Sequence, residues 1–549
     1  MTRTAPLAIV AIAAFVTGVT IATEPGRAER RVLARYVSAW AHEDFAQMYS
    51  LLDPASRRRT PEPKFEGLFR RAAATATLLR IETWRVGSKH GDSYPVAIRL
   101  RTRLFGTLRE TLDVPLVRSG SAARIIFSPS LAFPGLGPGE HLSRKVWIAP
   151  RAALLASDGT PLAVGPGRTS PIPDVAAGIV GVLGPIPRSE RALYAAQGYP
   201  ANAKVGLDGL EEAFQTRLAG TPGGELLAGG RMLARHNPAP GLDVTTTIDP
   251  SIERAVLAAL AGRFGGIVAM DPQTGAVLAA AGIAFSAPQP PGSTMKIVTA
   301  TGALEAGIVK LSDTFPVATS ATIGGYQLHN ANGEACGGTL LEAFAVSCNS
   351  VFAPLGVALG AARLVRIAEL FGFNQPPPLP GSAESVIPSA TTIGGDVAVG
   401  SSAIGQGLVQ ATTLEMTDVA ATIAMAGRRP IPTLLAGQRP RFARVTTPRI
   451  AGLVQRMMVA VVSFGTGTAA QIPGVEVAGK TGTAQIRNAP NPTQPNATAA
   501  QDTDAWFVAY APVRAPRIVV GALFPAQGSG AGTAAPAVHD VLVAALKQH

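Results

Sequence analysis

The sequence predicts a multidomain α+β protein whose C-terminal part is an α/β sandwich, an antiparallel sheet between layers of helices. The chain has 549 residues, more than one hydrophobic core usually spans, and this length suggests three or four domains. An uncharged apolar run occupies residues 5–22. In the C-terminal half, strand patterns come first, a helix-rich stretch follows, and strand patterns return, as expected of a sheet covered by helices.

The apolar run predicts a membrane anchor, and residues 1–23 are assigned to an anchor or signal segment. Its eighteen residues are marginally enough to span a bilayer and slightly more than a cleavable signal needs. Thr20-Ile21-Ala22 is a poor cleavage site, and because no cysteine follows, a lipoprotein is excluded. We therefore expect an uncleaved anchor, with a cleaved signal as the alternative, and export of the remaining chain in both cases.

Residues 24–140 are predicted to form a separate α+β domain. Between positions 32 and 52 apolar residues recur at helical spacing. Further on, Val96, Ile98 and Leu100 alternate with mostly basic residues, which predicts a half-buried strand with a basic outer face. No convergent set of acids and bases is visible, so we expect a spacer whose basic face is solvated or lies near an anionic polymer.

Residues 141–244 are predicted to form an extended, β-rich domain. Short strand patterns alternate with prolines and glycines, and residues 153–163 predict a hairpin with a tight turn at Asp158-Gly159. The segment Gly206 to Glu211 leads into a predicted helix. These elements carry no visible chemistry, and we expect them to position the domain that follows.

Residues 245–549 are predicted to form the α/β sandwich. Asp249 caps a helical pattern over 251–260, and residues 266–280 predict a β-hairpin. Residues 475–486 and 506–511 alternate as strands of one sheet, and residues 534–547 predict a closing helix. The polar, proline-rich segment Asn488 to Asp504 is expected to be an extended loop between two strands.

The composition narrows the classes of partner. The net charge is +12 and the isoelectric point is about 10.1, which fits nucleic acid, an anionic membrane surface or an acidic polymer. Aromatic residues make up only 5% of the chain and no zinc-finger or RNA-recognition signature is present, so we expect no nucleic acid partner. The seven histidines are dispersed without a metal-binding motif, so we predict no metal and no cofactor.

The chain has two cysteines, Cys336 and Cys348. In an oxidising compartment they can form a disulfide, and two buried thiols are the alternative, because sequence does not show their geometry. Neither occupies a position that indicates catalysis.

A candidate nucleophile stands in the segment Pro291-Gly292-Ser293-Thr294-Met295-Lys296. The Pro-Gly pair leads into a predicted helix from Ser293 to Glu305, so Ser293 lies in its first turn, where backbone N–H groups and the helix dipole favour developing negative charge. Lys296 follows three residues later on the same face. The pair suits a serine activated by a desolvated amine, although S-x-x-K alone occurs by chance in most long proteins.

Two further motifs follow in order. Ser347-Cys348-Asn349 begins 54 residues after Ser293, and Lys480-Thr481-Gly482-Thr483 begins 187 residues after it. S-x-x-K, S-x-N and K-T-G in this order are the signature set of penicillin-binding proteins and serine β-lactamases. Singly, each is better explained as a helix start, a loop or a turn; together they are highly specific. On these motifs the chain resembles a penicillin-binding transpeptidase.

The resemblance extends to the class B enzymes of that family. The hairpin at 153–163 is similar to the start of their pedestal, or dimerisation, region, although Ala152 stands where the family commonly has glycine. Residues 24–140 resemble, by pattern and position alone, the cone-like nuclear transport factor 2-like domain of one class B group. Gly405-Gln406-Gly407 resembles the family's G-Q-G segment. Asp504 departs from it, because a histidine often precedes Ala-Trp-Phe there.

The resemblance implies a peptidoglycan D,D-transpeptidase that cross-links stem peptides through an acyl-enzyme on Ser293. Lys296 would be the general base, and Ser347 would relay a proton to the leaving amine. Asn349 would bind the substrate's amide backbone and hold Lys296. Lys480 would supply positive charge that favours a neutral Lys296 and attracts the substrate carboxylate.

The third motif is implied to bind the end of the substrate. The hydroxyls of Thr481 and Thr483 would bind the terminal carboxylate, and Gly482 would leave room for substrate to approach the strand. Backbone N–H groups of Ser293 and Thr483 would form the oxyanion hole. No carboxylate has a sequence position that identifies it as the base for hydrolysis of the acyl-enzyme. The candidates, whose positions relative to the site are not known from the sequence, are Glu334, Glu384, Asp396 and Glu415.

The implied partners are peptidoglycan stem peptides, β-lactams as covalent inhibitors, the membrane through the N-terminal helix, and a separate membrane glycosyltransferase. The implied location is the bacterial cell membrane, with one span and the bulk of the chain on the extracytoplasmic side. A D,D-carboxypeptidase or serine β-lactamase is the alternative, although a lactamase would not need the roughly 240 residues before the catalytic region. The non-enzyme alternative is a β-lactam sensor or a cell-wall scaffold.

Overall fold

The computed structural model describes residues 26–119, 122–376, 379–485 and 503–547. The predicted anchor therefore lies outside the described residues, as does the predicted loop up to residue 502. The described chain divides into two compact units. The first comprises residues up to 148 with 187–201 and 222–239, and the second comprises 149–186, 202–221 and the residues from 240 onwards.

The helices are α1 (Arg27–Ala41), α2 (Phe45–Ser50), α3 (Pro54–Arg59), α4 (Glu62–Ala76), α5 (Pro173–Ile179), α6 (Arg191–Ala196), α7 (Gly209–Ala213), α8 (Gln215–Ala219), α9 (Pro250–Leu260), α10 (Lys296–Glu305), α11 (Leu340–Ala345), α12 (Asn349–Leu359), α13 (Ala361–Phe371), α14 (Asp396–Ala403), α15 (Thr413–Ala424), α16 (Pro448–Ser463) and α17 (Ala535–Leu546).

The strands are β1 (Leu78–Val86), β2 (Ser93–Thr102), β3 (Thr107–Ser119), β4 (Ala122–Ile125), β5 (Leu142–Trp147), β6 (Leu154–Leu155), β7 (Pro161–Ala163), β8 (Leu183–Pro185), β9 (Lys204–Gly206), β10 (Gly223–Ala228), β11 (Arg231–His236), β12 (Val244–Thr245), β13 (Gly266–Met270), β14 (Val277–Gly282), β15 (Thr314–Ala318), β16 (Ser320–Ile323), β17 (Tyr326–His329), β18 (Cys336–Thr339), β19 (Arg428–Pro430), β20 (Phe442–Arg444), β21 (Ala478–Gln485), β22 (Thr503–Ala511) and β23 (Ile518–Phe524).

The first unit packs helices against one face of an antiparallel sheet ordered β1-β2-β3-β4. The predicted alternation in β2 is present, because Val96, Ile98 and Leu100 are buried whereas Arg101 on the other face is exposed. Helix α1 buries Leu33 and neighbouring apolar residues in the same core, as the helical spacing predicts. A second sheet, ordered β11-β10-β5, also belongs to this unit.

The second unit contains a five-stranded antiparallel sheet ordered β14-β13-β23-β22-β21, with helices on both faces. Strand β22 is apolar throughout because both of its faces are buried. Trp506 and Val508 belong to the core formed with α10 to α16, whereas Phe507 and Ala509 belong to the core formed with α9 and α17. Strand β21, which carries the third motif, lies at the edge of the sheet.

Several local predictions are confirmed. Asp249 accepts hydrogen bonds from the first backbone N–H groups of α9, and β13 pairs with β14 as the predicted hairpin. Strands β6 and β7 pair around the turn at Asp158-Gly159, where Gly159 has a φ of +84°. One prediction is wrong in detail: residues 292–295 form a 3₁₀ turn, and the α-helix begins only at Lys296. Gly292 has a left-handed φ of +52°, so the chain bends into the helix later than the pattern predicts.

Residues 141–244, predicted as one domain, contribute to both units. Strand β5 and the hairpin β10–β11 form one sheet in the first unit, while β6, β7 and α5 pack in the second. Among the helices in the described ranges, none is long and apolar enough by itself to cross a membrane. Within the described residues, the pair α12 and α13 has the required length and hydropathy, with a bend of 101° between the two helices.

Candidate active site

The segment that carries Ser293 is a tight turn held against two other segments of the second unit. The backbone N–H of Gly292 donates to the Gly405 carbonyl over 2.9 Å, which joins the turn to the G-Q-G segment. A side chain on Gly292 would bring its Cβ within 3.0 Å of the Thr483 backbone. The turn therefore lies directly beside β21, with Ser293 half-buried and Lys296 fully buried at the start of α10.

Lys296 reaches the S-x-N motif. Its Nζ lies 2.6 Å from the Ser347 carbonyl oxygen, 2.8 Å from Asn349 Oδ1 and 3.2 Å from Ser347 Oγ. The first two atoms can only accept hydrogen bonds, so they take both N–H groups of a neutral amine. Its lone pair is then left to face a hydroxyl, which is what a general base for a serine requires.

Lys480 reaches the same hydroxyl from β21. Its Nζ donates to Ser347 Oγ over 2.9 Å and to the Thr481 carbonyl over 2.9 Å. Like Lys296, it is fully buried and lies near an aromatic ring, in this case that of Phe344. The Ser347 hydroxyl thus lies between two lysines from two different motifs.

Two buried amines so close together oppose each other's protonation. Burial lowers the pKa of Lys296 well below its ordinary value, and the positive charge of Lys480 lowers that pKa further. Burial also lowers the pKa of Lys480, to about 7. Burial and the neighbouring charge therefore both favour the neutral form of Lys296, and burial alone favours the neutral form of Lys480.

Backbone geometry positions Ser347. The residue joins α11 to α12 with a left-handed φ of +65°, which costs energy for any residue other than glycine. The next residue, Cys348, is joined to Cys336 by a disulfide with a Cα–Cα distance of 5.8 Å. Asn349 donates through Nδ2 to the His329 carbonyl over 2.9 Å, so its amide oxygen is turned towards Lys296.

The third motif packs against the nucleophile's turn. A Cβ on Gly482 would lie 2.8 Å from the Pro291 carbonyl oxygen and 2.9 Å from Trp506 Cβ, so glycine is required for the close approach. The Thr483 hydroxyl accepts a hydrogen bond from the Gly530 backbone N–H over 3.3 Å. The predicted oxyanion donors, the N–H groups of Ser293 and Thr483, belong to these two adjoining segments and stay a prediction.

One residue of the site, Thr466, was missed by the sequence analysis. Its Oγ1 lies 2.5 Å from Thr481 Oγ1, and its backbone N–H donates to the Ala345 carbonyl over 3.1 Å. Thr466 thus links the C-terminal end of α11, two residues before Ser347, to the predicted carboxylate-binding strand. The only signal in the sequence was the Gly-Thr-Gly-Thr run after α16, which by itself indicates a turn.

The carboxylates considered as bases for hydrolysis fall into different environments. Glu334 and Glu384 are exposed, and Asp396 is exposed at the start of α14. Glu415 is partly buried and lies near the buried Asp418, and its burial raises the pKa of Glu415 to about 7. Within the described ranges, no group of His, Cys, Asp and Glu is arranged to hold a metal ion.

Asp504, the departure from the family pattern, lies at the start of β22. Its Oδ1 accepts a hydrogen bond from the Ala526 backbone N–H over 3.0 Å, and burial raises its pKa to about 6. The side chain therefore joins β22 to the turn that follows β23. This hydrogen bond is made to a residue outside the three motifs.

Comparisons with known proteins agree with this geometry. Residues 265–543 match the family of penicillin-binding protein transpeptidase domains, and residues 149–246 match the penicillin-binding protein dimerisation domain. The peptidoglycan D,D-transpeptidase PbpA of Mycobacterium tuberculosis is 31% identical over 375 residues, which cover 56% of this chain and 73% of PbpA.

Solved structures are also similar to the chain, among them the following two. The D,D-transpeptidase domain of a peptidoglycan glycosyltransferase from Eggerthella lenta is 30% identical, with a TM-score of 0.59 over 73% of this chain and 99% of that domain. A ceftriaxone acyl-enzyme complex of penicillin-binding protein A from M. tuberculosis is 27% identical, with a TM-score of 0.56 over 72% of this chain and 98% of the other.

Proposed function

The chain belongs to the penicillin-binding protein transpeptidase family, and we propose that the lysine pair around Ser347 is the machinery with which its Ser293 cross-links peptidoglycan. The protein is a class B, serine-type peptidoglycan D,D-transpeptidase that β-lactams acylate. The assignment of roles rests on the position of the Ser347 hydroxyl. Its Oγ lies 3.2 Å from Lys296 Nζ and 2.9 Å from Lys480 Nζ.

The first half-reaction forms the acyl-enzyme. Ser293 Oγ transfers its proton to the Lys296 lone pair and attacks the carbonyl carbon between the last two D-alanines of a donor stem peptide. An ester bond to Ser293 forms as the C–N bond breaks. The proton taken by Lys296 passes through the Ser347 hydroxyl to the leaving amine, and free D-alanine departs.

The second half-reaction uses the same groups in reverse. An amine from a neighbouring stem peptide attacks the ester carbonyl and gives its proton to the site, and Ser293 leaves as a hydroxyl. The tetrahedral intermediate of each step carries negative charge on oxygen. We assign its stabilisation to the backbone N–H groups of Ser293 and Thr483, and a donor in such a position is worth on the order of 3 kcal/mol.

The other residues of the site orient the substrate. Thr481 and Thr483 receive the terminal carboxylate, with the charge of Lys480 nearby, and Asn349 binds the amide of the donor. The edge position of β21 supports this arrangement, because an extended peptide can add to the unpaired side of an edge strand. Thr466 holds the Thr481 hydroxyl in place.

We also infer how the rest of the protein serves this chemistry. The apolar run at 5–22 anchors the chain in the bacterial cell membrane, with the catalytic unit on the outer side. Residues 24–140 act as a nuclear transport factor 2-like spacer. The helices that pack against a four-stranded antiparallel sheet in the first unit support this inference. We propose, from the resemblance to class B enzymes, that a separate membrane glycosyltransferase supplies the glycan strands.

The test is covalent labelling by a fluorescent penicillin, followed by mass spectrometry of the adduct. We expect a stable adduct on Ser293 in the wild-type protein and none in Ser293→Ala. A donor peptide and an acceptor amine should then give a cross-linked product. Rapid hydrolysis of the penicillin would favour a β-lactamase, and release of D-alanine without cross-linking would favour a carboxypeptidase. A folded protein that shows neither labelling nor turnover would contradict the proposal.

A further inference from the structure

The four-stranded sheet of the first unit presents a cluster of arginines on its outer face. Helices cover the inner face, where Val96, Ile98 and Leu100 are buried. On the outer face, neighbouring positions of β1, β2 and β3 hold only arginine, threonine and alanine. We call these positions the arginine patch: Arg80, Thr83 and Arg85 on β1, Ala97, Arg99 and Arg101 on β2, and Thr107, Arg109 and Thr111 on β3.

The strand register brings arginines of the patch directly opposite one another. Arg80 pairs with Arg101 across β1 and β2, and Arg99 pairs with Arg109 across β2 and β3. Arg99 is half-buried, whereas the other three are exposed. Like charges in directly opposite positions destabilise a sheet, so the stability of the fold does not account for these pairs. A bound anion relieves the repulsion, because it places negative charge between the guanidinium groups.

The protein itself neutralises little of this charge. Glu82 lies in a bulge of β1 and forms an ion pair with Arg80 over 3.3 Å, and the Arg80 side chain stays 53% exposed. Asp113, the next acid along the outer face of β3, lies opposite Pro95 and therefore beyond the patch. The arginines of the patch outnumber the acid that contacts them, so this face keeps a net positive charge.

The residue types of the patch indicate a phosphate ligand. A guanidinium presents a planar fork of N–H donors that binds two oxygens of one phosphate group at once. Threonine hydroxyls stand between the arginines and can donate to further oxygens; the Thr107 hydroxyl, for example, accepts a hydrogen bond from Arg101 Nη1 over 2.9 Å. From the spacing and rise of β-strands, the patch measures about 10 Å by about 14 Å. It can therefore contact several phosphate groups of one linear chain.

The position of the patch favours a polymer over the membrane surface. The proposed anchor ends at residue 22, and a Cβ on Gly26 would lie 2.8 Å from the hydroxyl of Tyr94, near the start of β2. Arg99 and Arg101 follow Tyr94 by five and seven residues, which is about 17–24 Å along the strand. Salt screens exposed charges over roughly 8–10 Å, so these arginines lie beyond the field of the lipid headgroups around the emerging chain.

We propose that the arginine patch binds a linear, phosphate-bearing polymer outside the membrane. The inference goes beyond the proposed function, because it gives the first unit a ligand of its own in addition to its role as a spacer. Binding would hold the protein against the layer in which it forms cross-links. The location of the polymer rests on the proposed export of the chain, whereas the binding itself does not.

The test measures binding of the full-length protein, in non-ionic detergent, to fluorescent synthetic poly(glycerol phosphate) by fluorescence anisotropy. Arg99→Gln/Arg109→Gln removes one cross-strand pair of charges from the patch. The matched control is Arg363→Gln/Arg366→Gln, which removes two exposed arginine charges from α13 in the second unit. The two variants have the same net charge, so they differ only in where the charge was removed.

We expect the patch variant to bind the polymer about fivefold to tenfold more weakly than the wild-type protein, as for the loss of two exposed ion pairs. Arg80→Gln/Arg101→Gln, which removes the other cross-strand pair, should act in the same way, and the control should bind like the wild type. The melting temperature of each patch variant should be unchanged or higher, because one like-charge pair is gone. Weaker binding then does not come from unfolding.

Three results would overturn the inference: no binding of the polymer by the wild-type protein, equal affinities of the patch variants and the wild type, or an equal loss in the control. Vesicles that contain phosphatidylglycerol form the second arm. Patch-dependent binding to these vesicles without binding to the polymer would assign the patch to the membrane and contradict the proposal. Fluorescent penicillin should label Ser293 equally in all variants, so a failure of the proposed function is seen separately.

Discussion

Replacement of Lys480 by methionine tests whether its charge keeps Lys296 neutral. Methionine keeps much of the length and the apolar stem and removes the ammonium group. The two Nζ atoms lie 3.2 Å and 2.9 Å from Ser347 Oγ, so they are no more than about 6 Å apart. At an effective dielectric constant of about 20, two unit charges at this distance repel by about 3 kcal/mol.

This repulsion sets the expected effect on acylation. Without the charge of Lys480, the pKa of Lys296 rises, because that charge is one of the two causes of its depression. At neutral pH a larger fraction of Lys296 is then protonated and cannot accept the Ser293 proton. A loss of about 3 kcal/mol corresponds to an acylation rate about a hundredfold lower. The loss should shrink as the pH is raised, because Lys296 then loses its proton again.

The assay is the acylation rate constant at saturating benzylpenicillin, measured across a range of pH by stopped flow. Saturation separates the chemical step from the weaker binding that follows when the substrate carboxylate loses a nearby charge. Lys480→Arg is the control, since it keeps the charge and should keep the shape of the pH profile. If the deficit of Lys480→Met were the same factor at every pH, the electrostatic reasoning would be refuted.

Three further changes test packing, recognition and titration in the second unit. Gly482→Ala places a Cβ 2.8 Å from the Pro291 carbonyl and should lower stability by about 1–3 kcal/mol and slow acylation; a normal melting temperature would contradict this. Thr466→Val removes the partner of the Thr481 hydroxyl and should weaken binding of benzylpenicillin by about fivefold without weakening binding of its methyl ester. Thr466→Ser should restore the binding of benzylpenicillin. Equal losses for the two ligands would argue against this role of Thr466. Burial raises the pKa of Glu253 from 4.5 to about 8, so the folded chain keeps a proton that the unfolded chain releases. Relative to Glu253→Gln, the wild-type protein should therefore lose stability as pH rises through this window and stay level above it; unfolding midpoints at several pH values measure this, and a pH-independent difference would count against it.

Local features of the fold were predictable because they depend on residues close together in the chain. The cap at Asp249 and the hairpin turn at Asp158-Gly159 are properties of a few neighbouring residues. The alternation in β2 reflects one face in a core and one in solvent. The start of α10 was predicted three residues early, because the bend at Gly292 is stabilised by a contact with Gly405, more than a hundred residues away.

The sequence by itself determined the reaction class. The order and spacing of three motifs identify a serine, two lysines and an asparagine that can catalyse acyl transfer. Only the tertiary structure decided which hydroxyl the two lysines share, how deeply they are buried, and that Thr466 joins the site. It also decided that β5 joins the β10–β11 hairpin by pairing with β10. The physical reason is that pKa values and concave surfaces depend on packing between segments far apart in sequence, which no local pattern encodes.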